Sequence, residues 1–385
     1  MGLKPPASLG EALGGLLIYL VAGVAPVSAV LLLGCLCGVH VALAAPQALQ
    51  AWATAEVLFY SFYWVYLGRL SPDAVASPTV RLSVAGRRVA MDRTLAACGN
   101  FNRFISGWFK FVPVDRIRME NAREWVAWSM FGGYPQSLSP AEQQEMAGFV
   151  AEFESAAGIR FAPGHNAELT NGSMRINLDA ITAQHRPLLS YAVTYAAHAV
   201  GWVVLRRMGF TLDTAGELSY WHRPPTAVGS GTTAAAAAAP PVVLLHGIGL
   251  GLVPYLPFLS RLCRKHGGRS HIICPEFPHI SQRFCPRPPS SAATASAIRT
   301  MLCRHAPAAA STGTAGHGAH GARSPSPAGI GCEPRAACFI GHSYGSIVTS
   351  WLVARVPECV GSILFLDPVS LMLQEPDISY PSPFE

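Results

Sequence analysis

The chain has 385 residues, of which 50% are hydrophobic and 13% charged, against roughly 25% charged in a typical soluble domain. That imbalance calls for a membrane segment, a large buried core, or both. The net charge is +6, but no dense Lys/Arg run is interleaved with aromatics, so nucleic acid is excluded as a partner and weak attraction to anionic lipid headgroups is favoured.

From Ala12 to Ala55 there is no Asp, Glu, Lys or Arg. A bilayer-spanning helix needs about 20 apolar residues, so the run accommodates one helix or two. Leu13 to Leu33 is the first span, with Gly34 to Ala45 a continuation or a return, and Pro26 a kink within it. A cleaved signal peptide is the rival reading, since Ala42-Leu43-Ala44 resembles a cleavage site, but the run exceeds the usual apolar length of about 7–15 residues. Lys4 alone precedes the run, whereas Arg69, Arg81, Arg87, Arg88 and Arg93 follow it, which predicts a cytosolic C-terminal bulk.

The aromatic stretch from Glu56 to Leu67 suits either the headgroup boundary or a helix packed on a core. Residues 95–207 read as mainly helical. Trp125 and Trp128 share one helical face, read as core packing, and Ser139-Pro140 opens a further helix. Asn171-Gly172-Ser173 fits a glycosylation acceptor, which a cytosolic location would leave unused. Pro224, Pro225 and the Ala234–Ala239 run read as a linker. A low-complexity insertion over 306–331 is expected to be disordered. His305, His317 and His320 fall in or beside it, at a spacing that matches no compact metal site. The ten cysteines contain no Cys-x-x-Cys pair and read as buried free thiols. No metal and no cofactor are expected.

The chemistry begins at Pro241-Val-Val-Leu-Leu-His-Gly-Ile-Gly249, a short apolar strand opening into a loop. A helix over Tyr255–Lys265, a strand over His271–Cys274, a helix over Ala293–Arg304, a helix over Ser346–Arg355 and a strand over Ser362–Pro368 follow. This alternation predicts an α/β fold with a parallel sheet and crossover helices. Gly341-His342-Ser343-Tyr344-Gly345 fits the Gly-x-Ser-x-Gly nucleophile elbow, and it lies between an apolar strand and an apolar helix as that motif requires. Ser343 is the expected nucleophile. His246-Gly247-Ile248-Gly249 would supply the second element: the Ile248 and Tyr344 N–H groups are expected to form an oxyanion hole, with His246 orienting the loop.

On these motifs the chain resembles the α/β-hydrolase superfamily, in particular the membrane-anchored lipase/esterase-like branch of fungi and algae. The resemblance extends over Glu56 with Phe59-Tyr60, Glu124-Trp125 with Trp128, His185 to Leu189, Tyr220 to Arg223, His246 to Gly249, Gly341 to Gly345, and Leu366 to Val369. It implies an incomplete α/β-hydrolase sheet behind a transmembrane helix and a helical region. The corresponding division is 1–12 as a tail, 13–67 as the membrane segment, 68–208 as the helical region and 209–385 as the partial core. It further implies a membrane-anchored serine hydrolase of apolar ester or lipid-like substrates, with the lipid bilayer as partner.

Such enzymes order their triad Ser, then Asp or Glu, then His. The last of the 13 histidines is His342, whose side chain should point away from its neighbour Ser343. The activating histidine is therefore expected beyond residue 385, and Ser379 to Glu385 departs from the family's continuation. Asp367, Glu375 and Asp377 are the carboxylates available to orient a histidine, with Asp367 at a strand end. The alternative is a non-catalytic membrane scaffold or binding protein on the same fold.

Overall fold

The computed structural model describes residues 9–39, 45–70, 81–169, 172–175, 185–225, 239–265, 270–285, 287–306, 333–371 and 375–376. The N-terminal eight residues, Ala42 to Ala44, Asn171, the Ala234–Ala238 run, the insertion from residue 307 with His317 and His320, and Asp377 onward lie outside them. The chain divides into two compact units, one of residues 1–188 with 372–385, the other of residues 189–371.

The first unit is helical. Helix α1 (Leu9–Leu36) has Pro26 inside it and packs against α2 (Gln47–Leu70). The side chains of Val27, Val30 and Leu33 on α1 and of Leu58, Phe62 and Val65 on α2 are exposed. Helices α3 (Val84–Ala97), α4 (Phe101–Trp108), α5 (Met119–Phe131) and α6 (Pro140–Ala157) enclose a core of their own. Ser139 caps α6 with Glu142 three residues on, a reciprocal capping box. Trp125 is buried against Phe104 and Phe153, and Trp128 stacks edge-on to Trp108, so that aromatic face is core packing.

The aromatic stretch of α2 does more than line a surface. Glu56 is fully buried and accepts hydrogen bonds from the Leu188 N–H, at 3.0 Å to Oε2. His185 Nε2 lies 3.4 Å from Glu56 Oε1, with the rings of Phe59, Tyr60 and Tyr63 around the imidazole. Two of the sequence segments that carried the resemblance, Glu56 to Tyr60 and His185 to Leu188, are thus one packed group.

The second unit is a mixed α/β body. Helix α7 (Leu188–Arg207) leads into strands β1 (Thr211–Ala215) and β2 (Leu218–Arg223), an antiparallel hairpin that the sequence reading had not assigned. Then follow β3 (Val242–Leu245), α8 (Leu256–Lys265), β4 (Ile272–Pro275), α9 (Ser291–His305), β5 (Ala337–Ser343), α10 (Tyr344–Arg355) and β6 (Val360–Pro368). They form one six-stranded sheet in the order β1-β2-β4-β3-β5-β6. β4, β3, β5 and β6 are parallel, and β2 pairs antiparallel with β4.

The central strands are buried on both faces, which is why they read as continuous apolar runs rather than alternating ones. On one face Val243, Leu245, Ile273 and Phe339 meet Ile298, Met301, Val348 and Leu352 of α9 and α10. On the other, Val242, Leu244, Ile272 and Ile340 meet Leu259 of α8 and Leu205 of α7. Among the described residues β6 is the sheet's outer strand, with Ile363 and Leu364 exposed.

Among the described residues, α7 alone is long and apolar enough to cross a membrane, and the described apolar part of α1 is the shorter stretch Gly23–Leu36. One face of α7 is engaged: His198, Gly201 and Leu205 are buried, and His198 Nε2 lies 2.8 Å from the Ser281 carbonyl. Its Val193, Val200 and Val203 are exposed.

Candidate functional site

Strand order places the site. The chain leaving β3 crosses through α8 to β4, while the chain leaving the adjacent β5 crosses through α10 to β6 on the other side. Where two neighbouring strands send their connections in opposite directions, their carboxyl ends bound a crevice. The two segments singled out in the sequence, His246–Gly249 after β3 and Gly341–Gly345 after β5, meet there.

Ser343 ends β5 with φ 49° and ψ −117°, and α10 starts at the next residue. That left-handed backbone is costly for a side-chain-bearing residue, of order 1–3 kcal/mol, and persists only where the surroundings enforce it. Gly345 supplies part of the enforcement. A Cβ there would stand 2.0 Å from the Leu245 carbonyl oxygen, so only glycine lets α10 begin this close to the end of β3. Ser346 supplies more. Its fully buried hydroxyl donates to the Ser343 carbonyl at 2.6 Å and accepts from the N–H groups of Val369 and Ser370 at 3.0 and 3.1 Å. One side chain thus ties the elbow to the loop after β6.

The β3 loop closes on the elbow from the other side. A Cβ on Gly247 would lie 2.9 Å from Ser343 Cβ and 2.8 Å from His342 Nδ1, so the bare backbone of this loop passes directly over the serine. The Gly247 N–H donates to the Tyr255 hydroxyl at 2.9 Å, and that hydroxyl in turn lies 2.5 Å from His342 Nδ1. Tyr255 thus holds both the Gly247 backbone and the His342 ring.

His246 is fully buried. Its Nε2 accepts from the Phe277 N–H at 3.1 Å, and its Nδ1 lies 2.9 Å from the Gly247 carbonyl. Burial pushes its pKa down to about 4, so the ring is neutral at pH 7 and serves as a strut between β3 and the loop after β4. Ile248 projects its side chain to solvent. Tyr344 N–H is at the first turn of α10, where backbone donors and the helix dipole favour negative charge.

Asp367 lies at the carboxyl end of β6, exposed, with φ 46°. Its neighbour Pro368 is the register partner of Ser343, so the expected acid sits one residue from the strand position beside that serine. Glu375 is half-buried in the other unit. Among the described residues no histidine nitrogen is hydrogen-bonded to Ser343 Oγ.

His279 was not singled out from the sequence. Its Nε2 lies 3.4 Å from the Tyr344 hydroxyl, burial lowers its pKa, and its Nδ1 is buried without a partner among the described residues. Tyr255, Ser346 and His279 carry no motif; only the packing around the elbow reveals them. An apolar cavity of about 530 Å³, lined by Val242, Phe258, Leu262, Ile340 and Leu364, opens on the α8 face of the sheet rather than at Ser343.

No protein-family model matches the chain, and no curated protein matches it. Among solved structures, a membrane phospholipase A described as a bacterial virulence factor is similar over 59% of this chain and 52% of its own, at 16% identity and a TM-score of 0.27. The chain thus spans about half the length of that protein, and at this TM-score the likeness carries no argument about fold or activity.

Proposed function

We propose that this protein is a membrane-associated serine hydrolase of ester or lipid-like substrates, built on an α/β-hydrolase core over residues 209–385. The observation that carries the reading is the backbone of Ser343: a strained serine between a buried strand and a helix N-terminus, at the divergence of β3 and β5, with the Gly247 backbone over it. The exposed apolar side chains of α1, α2 and α7 favour a lipid surface, with residues 13–67 as the anchor and the C-terminal bulk on the cytosolic side.

In this mechanism Ser343 Oγ attacks the ester carbonyl carbon and gives its proton to a general base. The carbonyl π electrons move to oxygen, which the Ile248 and Tyr344 N–H groups hold. Collapse expels the alcohol, which takes up the proton, and leaves an acyl group on Ser343 for water to remove. The base is a histidine from outside the described residues, oriented by Asp367. A second reading, a lipid-bound scaffold without turnover, is favoured by one observation: among the described residues no histidine partners Ser343 Oγ.

The test is turnover of a p-nitrophenyl ester by the full-length protein in mixed micelles, beside its Ser343→Ala variant. The enzyme reading expects a loss of at least about 100-fold in the variant. Equal turnover by both proteins overturns it and leaves the scaffold.

A further inference from the structure

Three histidines widely separated in the sequence converge at the far side of the same sheet. His222 lies on β2, His271 immediately precedes β4, and His305 ends α9. One ring nitrogen from each lies within 4.8 Å of the other two. His271 Nε2 and His222 Nδ1 are 3.4 Å apart. A tetrahedral ion with metal–nitrogen bonds of about 2.0–2.1 Å holds adjacent nitrogens about 3.3–3.4 Å apart, so this pair already has the required spacing. We propose that His222, His271 and His305 bind a divalent transition-metal ion, zinc above all.

The surroundings suit that ion. The Tyr220 hydroxyl donates to Asp213 Oδ2 at 2.9 Å and lies 2.7 Å from His305 Nε2. Histidine ligands are commonly steadied by a carboxylate of this kind. Asp213 Oδ2 is 3.9 Å from both His305 Nε2 and Arg304, so the carboxylate offsets the guanidinium, the one cationic side chain in contact with this group among the described residues.

The bland alternative is three neutral imidazoles packed for shape, and the near-parallel rings of His222 and His305, 3.9 Å between centroids, are compatible with it. That alternative gives no reason for polar nitrogens from three separate elements to face one another. His222 Nδ1 and His271 Nε2 have only each other as hydrogen-bond partners among the described residues.

Because β2 runs antiparallel to β4, residues at the end of β2 and the start of β4 lie at the amino edge of the parallel strands. Ser343 stands at their carboxyl edge. The ion therefore takes no part in chemistry at Ser343; it clamps the last turn of α9 to the hairpin side of the sheet. The sequence sets His305 beside His317 and His320 at a spacing that matches no compact site, whereas its neighbours in space are His222 and His271.

The experiment is zinc titration of the untagged full-length protein after chelator treatment and chelator removal. The expected result is one zinc per chain, with Tm raised by about 5 °C at 100-fold excess over Kd. His271→Gln and His305→Gln should each weaken binding at least tenfold, Asp213→Asn about tenfold, and His165→Gln not at all. Cobalt(II) added to the wild-type protein should give the visible d–d bands of a tetrahedral nitrogen site, which keeps the proposal testable if the histidine variants fail to fold. Zinc well below one per chain, absent d–d bands, or unchanged zinc affinity in folded histidine variants overturns it. None of these readouts depends on ester turnover.

Discussion

Replacing Gly345 with alanine tests whether the elbow is packed as described. The new methyl carbon would stand 2.0 Å from the Leu245 carbonyl oxygen, 2.6 Å from its carbon and 3.0 Å from its Cβ. Ordinary contact needs about 3.4 Å, so the start of α10 and the end of β3 must separate by more than an ångström. Overpacking typically costs about 1–3 kcal/mol; because the obstacle is backbone rather than a flexible side chain, we expect about 3 kcal/mol. At about 2–4 °C per kcal/mol for a body of this size, Tm should fall by about 6–12 °C. The control is the same substitution at Gly148, inside α6 with nothing within 4 Å of the new methyl. There, alanine should stabilise by about 0.5–1 kcal/mol through helix propensity alone. Differential scanning fluorimetry on the three proteins reads both effects. A Gly345→Ala protein melting within about 2 °C of wild type would refute the packing, and with it the argument that Ser343 is held strained.

Ser346→Ala removes the one hydroxyl that links the Ser343 carbonyl to Val369 and Ser370; it should cost about 2 kcal/mol in urea unfolding, and a cost under about 0.5 would contradict the assigned bonds. Arg87 is buried, with two hydrogen bonds to Glu145 and one to the Leu82 carbonyl. A lysine cannot reproduce that fork, so Arg87→Lys should cost about 1–2 kcal/mol, and an unchanged urea midpoint would argue against it. His246 has a folded pKa near 4, below its ordinary 6.5. Its contribution is therefore complete above pH 6.5 and is lost as pH falls toward 4, by about 3 kcal/mol in all. Comparing wild type with His246→Asn at pH 7 and pH 4.5 isolates it: the variant should lose less stability on acidification, and parallel losses would remove His246 from the account.

The parallel core was legible because its strands are buried on both faces and so write themselves as apolar runs, Val242–Leu245 and Ile272–Pro275 among them. The tight strand-to-helix turn at Ser343 was legible because its steric demands fall on glycines at fixed offsets. The β1–β2 hairpin was missed: Thr211 to Ala215 mixes polar and apolar residues without a strong period, and its clearest mark is Gly216 at φ 56° in a two-residue turn. The expected first span did form a helix, α1, yet among the described residues the helix long and apolar enough to cross a membrane is α7, which lies within the stretch that reads only as mainly helical. Its polar anchors to the sheet body, His198 and Trp202, can be recognised only from their partners, Ser281 and Glu276. The histidine group was hidden for the same reason: strand pairing and a helix end bring together residues that no local spacing connects.

The central claim is that Ser343 is a nucleophile, and the most direct measurement is covalent labelling of the full-length protein in membranes with a fluorophosphonate probe, followed by peptide mass spectrometry. The account predicts one modified peptide containing Gly341 to Gly345, with the adduct on Ser343 and none in Ser343→Ala. An unmodified Ser343 at probe concentrations that label a control serine hydrolase would contradict it.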